Sequence, residues 1–449
     1  MGTTAGRLGD ERFRRDLGID YAYASGSMYR GVASKELVVA MGRAGYLGFL
    51  GAAGMPVERV VDDIAHIRKE LAPHRPFGVN LLGSLADPER ERAMVELLLT
   101  EDVRIIEASA FVKVTPALVR YQLSGLRRGH DGGVVRGTRI LAKVSRPEVA
   151  REFMRPAPEP IVARLLAEGL VTAEQAELAR RIPVAQELTV EADSGGHTDR
   201  GVASVLLPSM QALRRDLTRE HGYAEGIRLG LAGGLGTPRA VAAAFALGAD
   251  YVMTGSVNQC TVEAAISDRV KDRLQEIDVQ DTDYCPAGDM FEIGALVQVL
   301  KKGVLFPARA NKLSALYRTH ESWEEIPPGT RRQIQDTFFK RSAEDVWRET
   351  KEYLERTGQT DEVERAGRSP KRRMALMFRW YYGYSSRLTF QDPDRDPANL
   401  QVHTGPALGA FNQWVKGTPL EDWRNRHVDR IADDLMRGAA DILTEHQSR

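Results

Sequence analysis

Short apolar runs recur along the first part of the chain, each followed by a stretch with helical spacing. The β-rich runs are YAYAS (21–25), YLGFL (46–50), FGVNLL (77–82), RIIEAS (104–109), RILAKVS (139–145), ELTVEAD (187–193), IRLGLAG (227–233) and YVMTGS (251–256). Between them, segments such as SKELVVAMGRAG (34–45), PERERAMVELLLT (88–100) and TPRAVAAAFALG (237–248) repeat apolar residues three and four apart, as one buried helix face requires. Eight strands, each followed by a helix, is the count that closes a parallel barrel. An open doubly wound sheet would show fewer strands and an early GxGxxG turn. The pattern therefore predicts an α/β fold, a (β/α)₈ TIM barrel, over residues 1–288.

Two segments fall outside this repeat. Residues 147–182 are too long for one crossover and read as a helical insertion between the fifth and sixth strands. Residues 289–449 lack strand alternation and carry helical, aromatic-rich patterns such as MALMFRWYYGYSS (374–386), which predicts a mostly helical C-terminal region packed on the barrel. Within it ERTGQTDEVERAGRSPKRR (355–373) is polar throughout and reads as an exposed loop.

Composition narrows the classes. Hydrophobic residues make up 43% and charged residues 28% of the 449, ordinary for an enzyme with a sizeable core. Lys+Arg and Asp+Glu are each 62, so no global charge argues for nucleic acid or an anionic membrane. Two cysteines, Cys260 and Cys285, are too few for a disulfide framework and lack zinc-site spacing, so no metal is expected and a reducing cytoplasm fits. The N-terminal MGTTAGRLGDERFRRDLG has no apolar core of a secretory signal, and no window approaches a membrane span.

In a barrel the chemistry sits at the C-terminal ends of the strands. Those positions are Asn80 on the third strand, Glu107 and Ser109 on the fourth, Lys143 on the fifth, and Asp193-Ser194-Gly195-Gly196-His197 after the sixth. The seventh strand ends in AGGLGTP (232–238) and the eighth in TGSVN (254–258). Glycines let backbone amides approach an anion closely, and the loops after strands seven and eight are the usual phosphate site of this fold. One such loop is most often a tight turn; two at these positions point to phosphate, which suits phosphosugar isomerases, aldolases and flavin enzymes alike. Of nine histidines, His66, His74, His221, His427 and His446 lie in helical or terminal polar contexts. His197 instead follows two glycines at a strand end and is expected to point into the barrel mouth.

The motifs VEADSGGHTD (190–199), AGGLGTP (232–238) and TGSVNQ (254–259) resemble the FMN barrels that include nitronate monooxygenases and the flavin-dependent enoyl reductase of bacterial fatty acid synthesis. ASKELVVAMGRAG, FGVNLLGS, EASAFVKVTPALVRY, LAKVSRPEVA, DMFEIGALVQVLKKGVLFPARANKL, MALMFRWYYG and GPALGAFNQWVKGT extend the likeness over nearly the whole chain. Together they resemble one branch, the PfaD family of trans-acting enoyl reductases serving polyunsaturated-fatty-acid and trans-acyltransferase polyketide synthases.

The resemblance implies a bound FMN. Its phosphate would lie near Gly233, Gly234, Gly255 and Ser256, and its ring near Gly26, Ser27 and Met28. Asn80 and Lys143 would be polar partners, and Gly195 and Gly196 would adjoin the cofactor. It further implies NAD(P)H as reductant: hydride goes to the β-carbon of an α,β-unsaturated thioester on an acyl carrier protein, and a proton to the α-carbon. His197 is the candidate for that proton source or for stabilising charge on the thioester oxygen. Glu107 and Asp193 would orient His197 or cap helices.

The alternatives are a nitronate monooxygenase-like oxidase and a non-catalytic docking component of a synthase; a homodimer is left open. Carrier proteins are generally acidic, and two stretches lack Asp and Glu: 293–320, with Lys301, Lys302, Arg309, Lys312 and Arg318, and 371–387, with Lys371, Arg372, Arg373, Arg379 and Arg387. They offer a docking surface unless their charges are paired within the protein.

Overall fold

The computed structural model describes residues 4–84 and 87–447; the ends of the predicted first and last regions, 1–3 and 448–449, lie outside the described residues. Eight parallel strands close on themselves: β1 (Tyr23–Ser25), β2 (Leu47–Leu50), β3 (Gly78–Leu82), β4 (Ile105–Ser109), β5 (Arg139–Val144), β6 (Glu187–Glu191), β7 (Arg228–Ala232) and β8 (Tyr251–Thr254). β1 pairs with both β2 and β8, which completes the circuit. All eight lie inside the runs read from the pattern, so the TIM barrel is the observed fold. The insertion between β5 and β6 is helical, as expected: Pro147–Met154, Glu159–Ala167 and Ala173–Ala179.

Alternate residues on each strand face inward, and they sort by height along the barrel. At the N-terminal end Arg228 pairs with Glu187 and with Asp16 at 3.1 Å, and Arg139 Nη1 lies 3.3 Å from Glu187. Above this layer Thr189 Oγ1 meets Tyr251 Oη at 2.8 Å, whereas Tyr23 Oη, on the outer face of β1, meets Thr254 Oγ1 at 2.5 Å. The helix Glu11–Leu17, capped by Asp10, closes the bottom by stacking Phe13 on Tyr251, with ring centroids 4.1 Å apart.

The chain divides into two compact units, and the division differs from the expected boundary at 288/289. The first unit comprises 1–194, 199–265 and 410–449; the second comprises 195–198 and 266–409. The C-terminal helix Val428–Gln447 belongs to the first because it packs on Pro238–Ala246 and Lys35–Arg43. Gly438 makes that approach close, since a Cβ there would come within 2.8 Å of Pro238.

The second unit contains strand structure that the sequence pattern did not show. β9 (Thr282–Pro286) pairs antiparallel with β10 (Leu296–Leu300), whose other edge takes the two-residue strand Gly196–His197. β9 and β10 hold together residues on both sides of the expected boundary, which is why it shifts toward Ile266. The helices Phe306–Thr319, Ala343–Arg356 and Pro370–Gln391 surround a core of Phe291, Phe306, Trp323, Phe338, Phe339, Phe378, Tyr381 and Tyr382. The expected loop over 355–373 is instead largely helix, Thr360–Arg368, running on toward Pro370–Gln391. Val363 and Ala366, three apart, pack with Leu354 and Leu376, and Glu362–Arg365 and Glu364–Arg368 pair along its length. Among the described residues, no helix is long and apolar enough to cross a membrane.

Phe13 is fully buried against Tyr251. Phe13→Ala is expected to cost about 3–5 kcal/mol of stability, as for other buried aromatic truncations. Urea unfolding measures it, and a loss near zero would show that the N-terminal helix does not plug the barrel.

Candidate active site

The mouth of the barrel is organised by three charged side chains. Lys143, on β5, lies with its Nζ 3.4 Å from Glu107 Oε1 on β4 and 3.1 Å from Glu191 Oε1 on β6. Burial works against the lysine's charge, but the two carboxylates more than offset it, and its pKa is raised. Glu107 is wholly buried, and its Oε2 accepts from the Ser27 amide at 2.7 Å. Asn80 Nδ2 donates to Glu107 O at 3.2 Å and to Ser109 Oγ at 2.9 Å. The structure thus brings Asn80, Lys143 and the Gly26-Ser27-Met28 turn to one place, with Glu107 in the middle.

Glu191 was not singled out from the sequence. Its signal was the period of two: Thr189 faces inward to Tyr251, so Glu191, two residues on, faces inward at the rim. Gly51 was also missed; a Cβ there would lie 1.8 Å from the Met28 carbonyl oxygen, so only glycine lets the first-strand turn sit as it does.

The loops after β7 and β8 are built differently from each other. Gly233 and Gly234 have φ of +91° and +75°. A Cβ at Gly233 would come within 2.7 Å of the Ala192 and Asp193 carbonyl oxygens, so this glycine is needed for packing of the β6 and β7 ends. At Gly234 and Gly255 a Cβ would meet nothing within 4 Å. Thr237 caps the following helix, Pro238–Ala246, by accepting from Ala240 N. Asn258 sets the β8 turn, its Nδ2 donating to Ser25 Oγ and Thr254 Oγ1, each at 3.0 Å. Backbone with open space in front of it, at the start of a helix, fits the phosphate of a flavin nucleotide.

The loop after β6 is pinned at its base: Asp193 N donates to Gly201 O at 2.8 Å, and Asp199 is gripped by Arg146 and Ser145, which hold its carboxyl below the usual range. The four residues between, Gly195–Thr198, belong to the second unit. There Gly195 lies against Thr404, where a Cβ would come within 2.6 Å of backbone, and Gly196, at φ +84°, pairs with Gln298. His197 is opposite Val297, and its Nε2 lies 3.2 Å from Asp289 Oδ1. Glu107 and Asp193 are engaged within the first unit as described above, and the partner found on His197 is Asp289.

Most of the basic residues considered for docking are paired inside the second unit. Lys371 meets Glu321 at 2.8 Å, Arg372 meets Glu362 and Glu292, and Arg379 meets Glu292 at 2.9 Å. Lys302 lies 3.7 Å from Asp281, Lys312 and Arg309 bond Gln333 and Asn399, and Arg373 covers the Trp347 ring. Lys302, Lys371, Arg372 and Arg379 thus have carboxylate partners, whereas Arg309, Lys312 and Arg373 meet neutral groups.

Comparison with known proteins places the chain. Residues 16–298 match the nitronate monooxygenase family, and residues 320–399 match the inserted helical domain of [acyl-carrier-protein] S-malonyltransferase. The polyketide biosynthesis protein PksE of Bacillus subtilis is 51% identical over 99% of this chain and 57% of its own length. A component of the polyunsaturated fatty acid synthase of Thraustochytrium is 44% identical over 93% of this chain and 28% of its own. The chain therefore spans about half or less of these relatives. The crystal structure of the enoyl reductase domain of MlnA, from the macrolactin biosynthesis cluster of Bacillus amyloliquefaciens, is 42% identical with a TM-score of 0.95, covering 99% of each chain. The chain belongs to the nitronate monooxygenase family of oxidoreductases, in the PfaD-like branch associated with polyketide and polyunsaturated-fatty-acid synthases.

Proposed function

We propose that this chain reduces the double bond of an α,β-unsaturated acyl thioester, carried on an acyl carrier protein of a polyketide or fatty acid synthase, using FMN and NAD(P)H. The observation that carries this reading is the end-to-end likeness to an enoyl reductase domain, joined to a barrel mouth whose residues fit a flavin. FMN, when bound, would supply hydride transfer from NAD(P)H to the β-carbon of the thioester. The amides around Gly234, Gly255 and Ser256 would hold its phosphate, and Lys143, kept charged by Glu107 and Glu191, would face the electron-rich edge of the ring. Asn80 and the Ser27 turn would set the floor beneath it. His197, half exposed and hydrogen-bonded to a carboxylate, would hold the proton destined for the α-carbon. Nitronate oxidation is the second reading, favoured by the family match over 16–298. NAD(P)H consumption with a short enoyl thioester, set beside oxygen consumption with a nitronate, separates the two.

The purified protein is expected to release FMN on denaturation, seen by absorbance and mass. Gly255→Leu should lower FMN occupancy with little change in melting temperature of the flavin-free protein, because the added side chain enters open space rather than protein. Gly233→Leu does not serve this purpose, since it collides with backbone whether or not flavin binds. Full FMN occupancy in Gly255→Leu would remove the β8 turn from the cofactor site.

His197→Ala should retain FMN and its bleaching by NAD(P)H, while thioester reduction slows by a factor on the order of 10²–10⁴. Stopped-flow measurement of the two half-reactions checks this; an unchanged oxidative half-reaction would make His197 a structural residue.

A further inference from the structure

Three groups from distant parts of the sequence meet in the small sheet of the second unit. His197 is fixed by strand pairing: Val297 lies opposite it, and Thr198 N donates to Leu296 O at 3.2 Å. Asp289, in the loop between β9 and β10, brings its Oδ1 to 3.2 Å from His197 Nε2. His403 bridges to Val299 on the same central strand, and its Nε2 lies 2.9 Å from Gln401 Nε2. The His403 ring comes up beside Gly196, where a Cβ would be 3.6 Å from Nδ1. That is ordinary contact, so it is the φ of +84° that calls for glycine at 196.

We propose that Asp289 is the positioning residue of His197, accepting from Nε2–H and favouring the imidazolium. This rests on the reading of His197 as the proton source.

The electrostatics agree with the geometry. Burial alone would raise the Asp289 carboxyl, but the hydrogen bond and charge of His197 outweigh it, and Asp289 stays ionised. Burial first, then the charge of His197, push His403 down to about 4, with Asp289 only partly countering. At neutral pH His403 is therefore uncharged. Among the described residues, Asp289 from the β9–β10 loop and His403 from the 401–404 segment are titratable groups beside His197; on β10, Leu296, Val297 and Gln298 do not titrate. An adjacent carboxylate favours the charged imidazole, so removing its charge lowers the His197 midpoint.

Asp289→Asn tests this, because the amide oxygen can still accept from Nε2–H but carries no charge. Histidine-labelled holoprotein is titrated by NMR, with the His197 signal assigned through His197→Gln. The His197 midpoint is expected to fall by about half to one pH unit, modest because both side chains are partly exposed. The alkaline limb of kcat/KM for enoyl-thioester reduction should move down with it, flavin reduction by NAD(P)H should be unchanged, and Asp289→Glu should restore both. An unmoved midpoint overturns the pairing. A moved midpoint with an unmoved alkaline limb, in an enzyme that His197→Ala slows, overturns the positioning role. Full thioester reduction in His197→Ala, with the midpoint still moved by Asp289→Asn, instead defeats the underlying assignment of His197 as proton source and leaves the pairing standing.

Discussion

An ammonium held between two carboxylates governs the mouth of this barrel. Glu107 has no exposure to solvent, and a buried carboxylate without compensation is strongly unfavourable. Lys143 and the Ser27 amide supply that compensation from two sides. The second bond matters as much as the first: it fastens the turn after β1 to a side chain of β4. Asn80 then joins β3 to the same point through the Glu107 carbonyl, and Glu191 brings in β6 through the lysine. Five strand ends are thus cross-linked by polar contacts at the last rungs of the barrel ladder.

The other end of the barrel is held by different means. Arg228, Glu187, Arg139 and Asp16 form an ionic layer, and the Phe13–Tyr251 stack seals it. Those contacts involve the N-terminal ends of strands, where this fold keeps its stability, while the C-terminal ends carry the groups suited to chemistry. The two layers are separated by the uncharged Thr189 and Tyr251 hydroxyls, bonded to one another. Such a division lets the mouth hold a net negative triad of two carboxylates and one lysine without drawing on the ion pairs that close the base.

The barrel was legible because its strands are buried on both faces and read as largely apolar runs, each followed by a stretch with helical spacing. The same reasoning missed β9 and β10, since LVQVL is a single short run with no neighbouring turn pattern of the βα kind. It mistook 355–373 for a loop because the helix there rests on two small apolar contacts, Val363 and Ala366, amid paired charges. The mouth was half visible: Asn80, Glu107 and Lys143 sit at strand ends, but the ion pairs joining them depend on barrel register, which no linear window shows. Asp289 lies 92 residues from His197, and only the small sheet makes them neighbours. In the basic stretches, Lys371, Arg372 and Arg379 meet Glu321, Glu362 and Glu292, carboxylates that no linear window places beside them.

The balance of charge at the mouth explains why glycines rather than cations must serve an anion. The two cationic side chains at the end of β5 are already committed, Lys143 to Glu107 and Glu191 and Arg146 to Asp199. A dianionic phosphate placed beside the triad would meet two carboxylates for each ammonium. Favourable binding therefore calls for neutral donors, and backbone N–H groups at the start of a helix are the neutral donors a barrel has in reach. The β7 and β8 turns, where Gly234 and Gly255 leave space in front of the backbone, would meet that need in the proposed site. In the proposed reaction the lysine's charge would then be left for the part of a ligand that gains negative charge, where a fixed cation lowers a barrier instead of merely tightening binding.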